Sequence, residues 1–479
     1  MTAGSVLTLL PFALLGLAPV VVMVLTALRP SHRLAMYLSL AGLAAGLATI
    51  PVTAARSQRQ VTALLRMDDF ALLLIGLLTL ATAGVVVLSY LYLRDHETRP
   101  LEYYTLLLIA NFGGATLVAA THFASFFLGL EILSVSLYAL IGYPRLRGDA
   151  VEAAVKYLIL AAATAAVLLF GMALIYAQTG SMDFAVLHNP HHPPLGTGAG
   201  IFYVAGLALI IVGVGFKLAL VPFHMWTPDV YQGAPAPVTA FVATVSKGAM
   251  VAILLRFFRG ADYALPHAIS IAFTVIAIAS MIAGNLLALL QNNVKRILAY
   301  SSISQLGYLL VPIVAGGRTA ATAVVFYVVA YVVTMLGAFG IVGLLSEGGN
   351  EAEDIEDYRG LAARRPWMAG AFAAVLFSLA GIPLTAGFIG KFYLVAAGAG
   401  ASLWLLLIVL VLTSTIGLYY YTRIVVAMYV SKAGATTPKT TARFAGAPVM
   451  TAVIGLLFFL GIYPGPLVHL IQHVVNGLR

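Results

Sequence analysis

Of 479 residues, 62% are hydrophobic and 9% charged, against roughly 25% charged in a soluble protein, which excludes a soluble globular chain. The net charge of +9 comes without any Lys/Arg run dense enough to hold nucleic acid. There is no cysteine, so neither a disulfide framework nor a thiolate-held iron–sulfur cluster can be built from this chain.

A membrane-crossing helix needs roughly 20 apolar residues. Such runs are predicted near 4–28, 34–54, 69–93, 102–120, 122–143, 150–178, 201–221, 236–258, 266–290, 297–315, 319–345, 367–398, 402–430 and 444–475. The fold class is therefore an all-α polytopic membrane protein of about fourteen spans. The first run lacks a basic segment before it and a convincing small-residue cleavage site, so it reads as a retained helix.

The basic residues act as topology signals. If every run crosses, one set of alternate loops holds Arg29, Arg33, Arg94, Arg99, Arg145, Arg147, Lys295, Arg296, Arg359, Arg364, Arg365, Lys432, Lys439 and Arg443. The other set holds only Arg56, Arg59, Arg66, Arg256, Arg259 and Arg318. The positive-inside rule then places both termini on the outer side.

Three connections stand out by composition. Gly180 to Gly200 is rich in Gly, Pro and His, but the spacing of His188, His191 and His192 does not suit a rigid metal site, and no metal is expected. Ser346 to Pro366, acidic and then basic, reads as a solvated loop, as does the polar segment around Lys432 and Lys439. Two runs are interrupted by helix breakers. One contains Pro222, and the other contains Gly381, Pro383 and Gly387 ahead of Lys391. Broken helices in both halves of a membrane chain point to an internal repeat with ion sites at the breaks. Such backbone persists at membrane depth only where it is packed in protein or faces water.

The intramembrane charges follow the same logic. Lys156, Lys217, Lys247 and Lys391 lie within or against apolar runs, and Glu131 is the one acid well inside a run. Each central charge costs about 2.5–3.5 kcal/mol on an insertion scale, so such residues are expected to face the bundle interior. Lys156 follows Asp149 and Glu152 closely and also fits a paired end-charge; Lys247 has no short route to the interface. Lys217 and Lys391 have breaks beside them, whose freed carbonyls can solvate an ammonium. Burial disfavours the charged form of such groups and a neighbouring opposite charge restores it, so a line of them can pass a proton. His224 fits such a line or a packing role. Tyr300, Ser301, Ser302, Ser304 and Gln305 can add hydrogen-bonding steps or serve only as interhelical contacts. No nucleotide-binding loop, nucleophile elbow or metal-ligand spacing is present, so neither cofactor-binding nor metal residues are assigned.

Lys217 to Ala249, "KLALVPFHMWTPDVYQGAPAPVTAFVATVSKGA", resembles the subunit N family of bacterial respiratory complex I, the proton-pumping NADH:quinone oxidoreductase. "NVKRILAYSSISQLGYLL", "EDYRGLAARRP" and "LAGIPLTAGFIGKFYL" resemble the same family in the same order. The resemblance covers nearly the whole chain. It implies an antiporter-like fold with two inverted five-helix repeats and discontinuous helices 7 and 12. The corresponding divisions are 1–100 (helices 1–3), 101–260 (helices 4–8), 261–430 (helices 9–13) and 431–479 (helix 14).

It also implies a proton path in which Glu131 pairs with Lys217, Lys247 sits on the central axis, and Lys391 ends the route to the exit. Lys156 matches a basic position on the sixth span. Gln305 departs from the His that many subunit N sequences carry, which favours hydrogen bonding over titration there. Partners would be the other membrane-arm subunits and the lipid bilayer of the cell inner membrane, with no nucleic acid. NADH, FMN, iron–sulfur clusters and quinone would belong to partner subunits.

The M-type sister subunit typically has Glu where this chain has Lys391, and the L-type sister continues into a long lateral helix. A self-standing secondary transporter, a cation/proton antiporter subunit and a non-pumping scaffold are the competing functions. A chelating oxygen cluster for a metal cation is not evident in the sequence, which disfavours the first.

Overall fold

The computed structural model describes residues 7–56, 62–96, 100–185, 200–258, 267–346, 351–430 and 446–477. In chain order the helices are α1 (Leu10–Leu28), α2 (His32–Ala54), α3 (Asp69–His96), α4 (Leu101–Ala119), α5 (Phe123–Ile141), α6 (Gly148–Thr179), α7 (Ile201–Leu218) and α8 (Trp226–Gly233). Then come α9 (Ala236–Phe258), α10 (His267–Leu289), α11 (Val294–Ala315), α12 (Gly317–Leu345), α13 (Pro366–Ala380), α14 (Ala386–Gly400), α15 (Trp404–Tyr429), α16 (Ala447–Ile462) and α17 (Gly465–Asn476). Two one-turn helices, Ile355–Tyr358 and Leu361–Arg364, lie between α12 and α13. Among the described residues β-pairing is confined to three isolated bridges.

Twelve of these helices, α1–α7, α9–α12 and α15, are long and apolar enough to cross a membrane. The twelfth predicted run is the pair α13 and α14. Gly381, left-handed at φ 87°, ends α13, and Thr385 precedes α14. The seventh run breaks where expected: α7 stops at Leu218, Ala219 turns left-handed at φ 60°, and Pro222 lies in the link to α8.

The last run departs from expectation. Instead of one span over 444–475 it forms α16 and α17, bent by 81°. Pro464 and Pro466 flank Gly465 and remove amide donors, so the helix ends at Ile462 and starts afresh. α17 turns Val468, Ile471, Val474 and Val475 inward and packs on α12 and α3.

Contacts between connections follow an alternation. Leu65 pairs with Ala120, His122 with Asp183, and Asp68 binds Arg256. Arg147, Asn293, Glu351 and Glu353 gather separately, and Arg423 reaches the carbonyls of Leu289 and Gln291. Each group joins every second connection, the arrangement expected of a chain that crosses back and forth.

Three helices form the centre. Every residue of the most apolar stretch of α9 is buried, as are 89% for α11 and 94% for α12, against 28–39% for α1, α2, α6, α10 and α15. Lipid-like exposure thus falls on the outer helices, and polar groups on α9, α11 and α12 are withdrawn from it. Helix α7 is held tightly to α6. A Cβ on Gly171 or Gly206 would lie 2.7 Å from the other's carbonyl oxygen, a close approach that small residues allow in membrane helices.

Candidate functional site: a line of buried lysines

Lys217 closes α7 and is 6% exposed. Its ammonium donates to Ser134 Oγ at 2.6 Å and to Tyr157 OH at 3.3 Å, and it lies over the Tyr157 and Phe216 rings. The expected direct pair with Glu131 is not formed. Ser134 follows Glu131 by three residues on α5 and takes the lysine's hydrogen bond, while Glu131 Oε1 is buried without a hydrogen-bond partner. Nor do freed carbonyls of α7 solvate Lys217, since Trp226 Nε1 occupies that of Phe216 at 2.8 Å.

Lys247 stands on the most buried helix and is itself 1% exposed. A π-helical turn at Val242–Ser246 immediately precedes it. Such turns interrupt the regular register and occur at functional positions. Its ammonium donates to Ser302 Oγ at 2.5 Å and lies 5.3 Å from the centre of the Tyr231 ring. Ser302 also shares hydrogen bonds with Tyr331 OH at 2.6 Å and Tyr231 OH at 3.4 Å.

Lys391, on α14, uses the break in the way its sequence suggests. Its ammonium donates to the carbonyls of Leu379 and Ala380, both at 2.9 Å, and to Ser414 Oγ at 2.8 Å. The two carbonyls are freed because α13 stops at Ala380. Leu379 O also accepts from Gln305 Nε2 at 3.0 Å, and Tyr327 donates to Gln305 Oε1. Gln305, Tyr331, Thr334, Ser378 and Lys391 line a small cavity with room for roughly one water. A chain of polar groups thus extends from Lys247 through Ser302 and Tyr331 to this cavity, which Lys391 also lines.

The remaining predicted residues divide. Lys156 is 46% exposed and bonds Glu152 at 2.7 Å and Asp229 at 3.0 Å, so it is a paired end-charge of α6. Its neighbour Tyr157 is the α6 residue that reaches Lys217. His224 is buried in the link after α7, its Nδ1 without a partner. Tyr300 is half-buried and makes no side-chain hydrogen bond among the described residues, and Ser304 donates to Ser301 O at 2.8 Å. Pro222 and Pro383 both lie in the non-helical links. His188, His191 and His192 lie outside the described residues.

Two sequence expectations are corrected outside the line. The loop from Ser346 to Pro366 is not wholly solvated, because the Glu351 side chain is fully buried against Lys295. Arg256, counted among the topology signals of the connections, is 7% exposed because it grips Asp68. Ser134, Tyr157, Tyr327 and Tyr331 were not anticipated; Ser134 and Tyr157 stand close in sequence to Glu131 and Lys156, whereas Tyr327 and Tyr331 lie in a stretch without charge and carry no such signal.

A discontinuous helix in each half, with buried cations linked by hydroxyls, defines the class as an antiporter-like membrane subunit. Comparison with known proteins agrees. The chain belongs to the family described as NADH:quinone oxidoreductase/Mrp antiporter, transmembrane, which matches residues 120–417 and so includes Glu131, Lys217, Lys247 and Lys391. It is 50% identical over 492 residues to NADH-quinone oxidoreductase subunit N of Nitrosospira multiformis, covering 99% of this chain and 97% of that one.

Among solved structures, respiratory complex I from Thermus thermophilus with bound aureothin contains a chain of 32% identity and TM-score 0.81, with 96% of this chain and 98% of that one covered. The membrane-bound sulfane sulfur reductase, an archaeal respiratory membrane complex, shares the fold at TM-score 0.83 and 24% identity, covering 100% of this chain and 98% of that one.

Proposed function

We propose that this chain is a membrane-arm subunit N of an NADH:quinone oxidoreductase and translocates protons across the cell inner membrane. The carrying observation is the line from Lys247 through Ser302 and Tyr331 to the polar cavity beside Lys391, withdrawn from lipid on the three central helices. Hydroxyl groups accept and donate at once, so they can relay a proton from a protonated lysine to a neutral one that has no direct contact with it. Glu131, Lys217, Ser134 and Tyr157 supply a second cluster on α5, α6 and α7. In this reading NADH, FMN, iron–sulfur clusters and quinone sit on partner subunits, this chain contributes no redox centre, and both termini lie on the outer side.

The test replaces Lys247 or Lys217 by Ala in the assembled complex and measures NADH-driven proton uptake in inverted membrane vesicles. Loss of most proton translocation per NADH oxidised is the expected result. Wild-type stoichiometry in assembled variants would exclude the pumping role, and transport by the purified chain alone in liposomes would make it a self-standing carrier.

A further inference from the structure

Between the break after Lys217 and the helix carrying Lys247 the chain turns a corner, from α8 at Gly233 into α9 at Ala236. One buried ion pair holds both sides of it. Lys295 Nζ, on α11, donates to the carbonyls of Gln232 at 2.6 Å and Ala234 at 2.8 Å, where α8 ends. The same ammonium is bonded to Glu351, and both side chains are 0% exposed. Glu351 Oε1 in turn accepts from the backbone N–H of Ala236 at 2.9 Å, where α9 begins. A cation thus meets the electronegative end of one helix and an anion the electropositive end of the next.

Further groups close on the carboxylate. Tyr92 OH donates to Glu351 Oε1 at 2.5 Å and Arg147 Nη1 lies 3.6 Å from it. Outside the corner, Arg296 bonds Asp229 at 2.9 Å and Gln232 Oε1 at 3.0 Å, and Asp229 reaches Lys156. Elements from both halves of the chain therefore converge on eight residues, Asp229 to Ala236. Lys247 stands about three turns beyond Ala236 on the same helix, roughly 16 Å along α9.

We propose that Lys295 and Glu351 are positioning residues for proton transfer, a buried clamp that caps α8 and α9 together and holds Lys247 in register with Ser302. The proposal rests on the pumping role. It makes the loop between α12 and α13 a working part of the path, because Glu351 comes from that loop. Removing one partner leaves a buried charge unpaired, whereas removing both does not.

The experiment compares Glu351→Gln, Lys295→Met and the double variant in the assembled oxidoreductase in membrane vesicles, with Lys247→Ala as control. Native electrophoresis reports assembly; protons translocated per NADH oxidised, followed against pH, report positioning. Protons per NADH are expected to fall about tenfold in assembled Glu351→Gln, as for loss of a charge-assisted hydrogen bond, with a displaced pH profile. A purely structural role would lower the amount of complex and leave the stoichiometry and pH profile of the assembled fraction unchanged. That outcome overturns the proposal. If the single variants do not assemble, the double variant decides. Assembly with reduced stoichiometry supports the clamp; wild-type stoichiometry, or failure to assemble, overturns it. Unchanged pumping in Lys247→Ala would instead remove the pumping role itself.

Discussion

The ammonium of Lys247 donates to the hydroxyl of Ser302 at 2.5 Å, and no carboxylate among the described residues lies within ion-pair distance of it. Hydroxyl dipoles and the Tyr231 ring face therefore hold this cation, and in the proposed relay its proton would pass through Ser302, which joins it to Tyr331. A hydrogen bond to a charged group contributes about 1.5–3 kcal/mol, so Ser302→Ala should lower proton translocation about tenfold or more. Ser302→Thr keeps the hydroxyl and should stay close to wild type. Vesicle acidification normalised to NADH oxidation measures both, and equal stoichiometry in Ser302→Ala and wild type would remove Ser302 from the path.

Lys217 poses a different question, because its hydrogen bonds go to Ser134 and Tyr157 and not to Glu131. Double-mutant cycles on thermal stability in detergent separate the candidates. The Lys217–Ser134 coupling should be about 1.5–3 kcal/mol, as for a hydrogen bond to a charged group. The Lys217–Glu131 coupling should be smaller, because Coulomb attraction without contact weakens with distance. A larger coupling to Glu131 would restore the direct pair.

Much of this arrangement is legible in the sequence, and the exceptions share a cause. Bilayer thickness sets the run length, so every predicted run matches a helix or a broken pair. The breaks are written in local chemistry, in Pro222, Gly381 and Pro383, and the carbonyls beside Lys391 follow from where α13 must stop. Tertiary partners are not written locally. Tyr331 stands in "YVVAYVVTML", where a relay tyrosine and a packing tyrosine look alike. Glu351 sits in an acidic loop that reads as solvated, and only the fold brings Lys295, Tyr92 and Ala236 N–H to its carboxylate. Likewise Ser134 and Glu131 lie one turn apart on α5, and sequence alone does not choose which meets Lys217.

The break beside Lys391 depends on a contact that admits no side chain. A Cβ on Gly387, in the first turn of α14, would lie 1.9 Å from Ser378 O and 2.9 Å from Ser378 Oγ. Those are backbone and cavity-lining atoms of α13, and Gly387 N–H donates to the same hydroxyl at 3.1 Å. Gly387→Ala must push α14 from α13 and take Lys391 off the carbonyls of Leu379 and Ala380. The overpacking should cost about 1–3 kcal/mol and abolish most proton translocation in any complex that assembles. Gly370→Ala, where a Cβ meets nothing within 4 Å, is the matched control. Equal melting temperatures and pumping in the two variants would exclude this account of the break.

At the opposite side of the bundle from the Glu351 clamp, the pair Asp68–Arg256 gives a pH-dependent prediction. Asp68 Oδ1 caps α3 through Ala71 N–H at 2.8 Å, and both carboxylate oxygens take Arg256 guanidinium hydrogen bonds at 2.8 Å. Burial alone would raise the carboxyl, but the Arg256 charge and hydrogen bonds hold Asp68 below its ordinary value of 3.8. Its stabilisation is therefore complete above the ordinary carboxylate range and drains away as pH falls through the lowered folded-state value. Asp68→Asn leaves Arg256 buried without its partner and should cost about 3–5 kcal/mol near neutrality. Thermal denaturation in detergent should show the gap between wild type and variant wide at neutral pH and closing below about pH 4. A gap that stays constant into acid would mean that the Asp68 charge contributes nothing to holding α3 and α9 together.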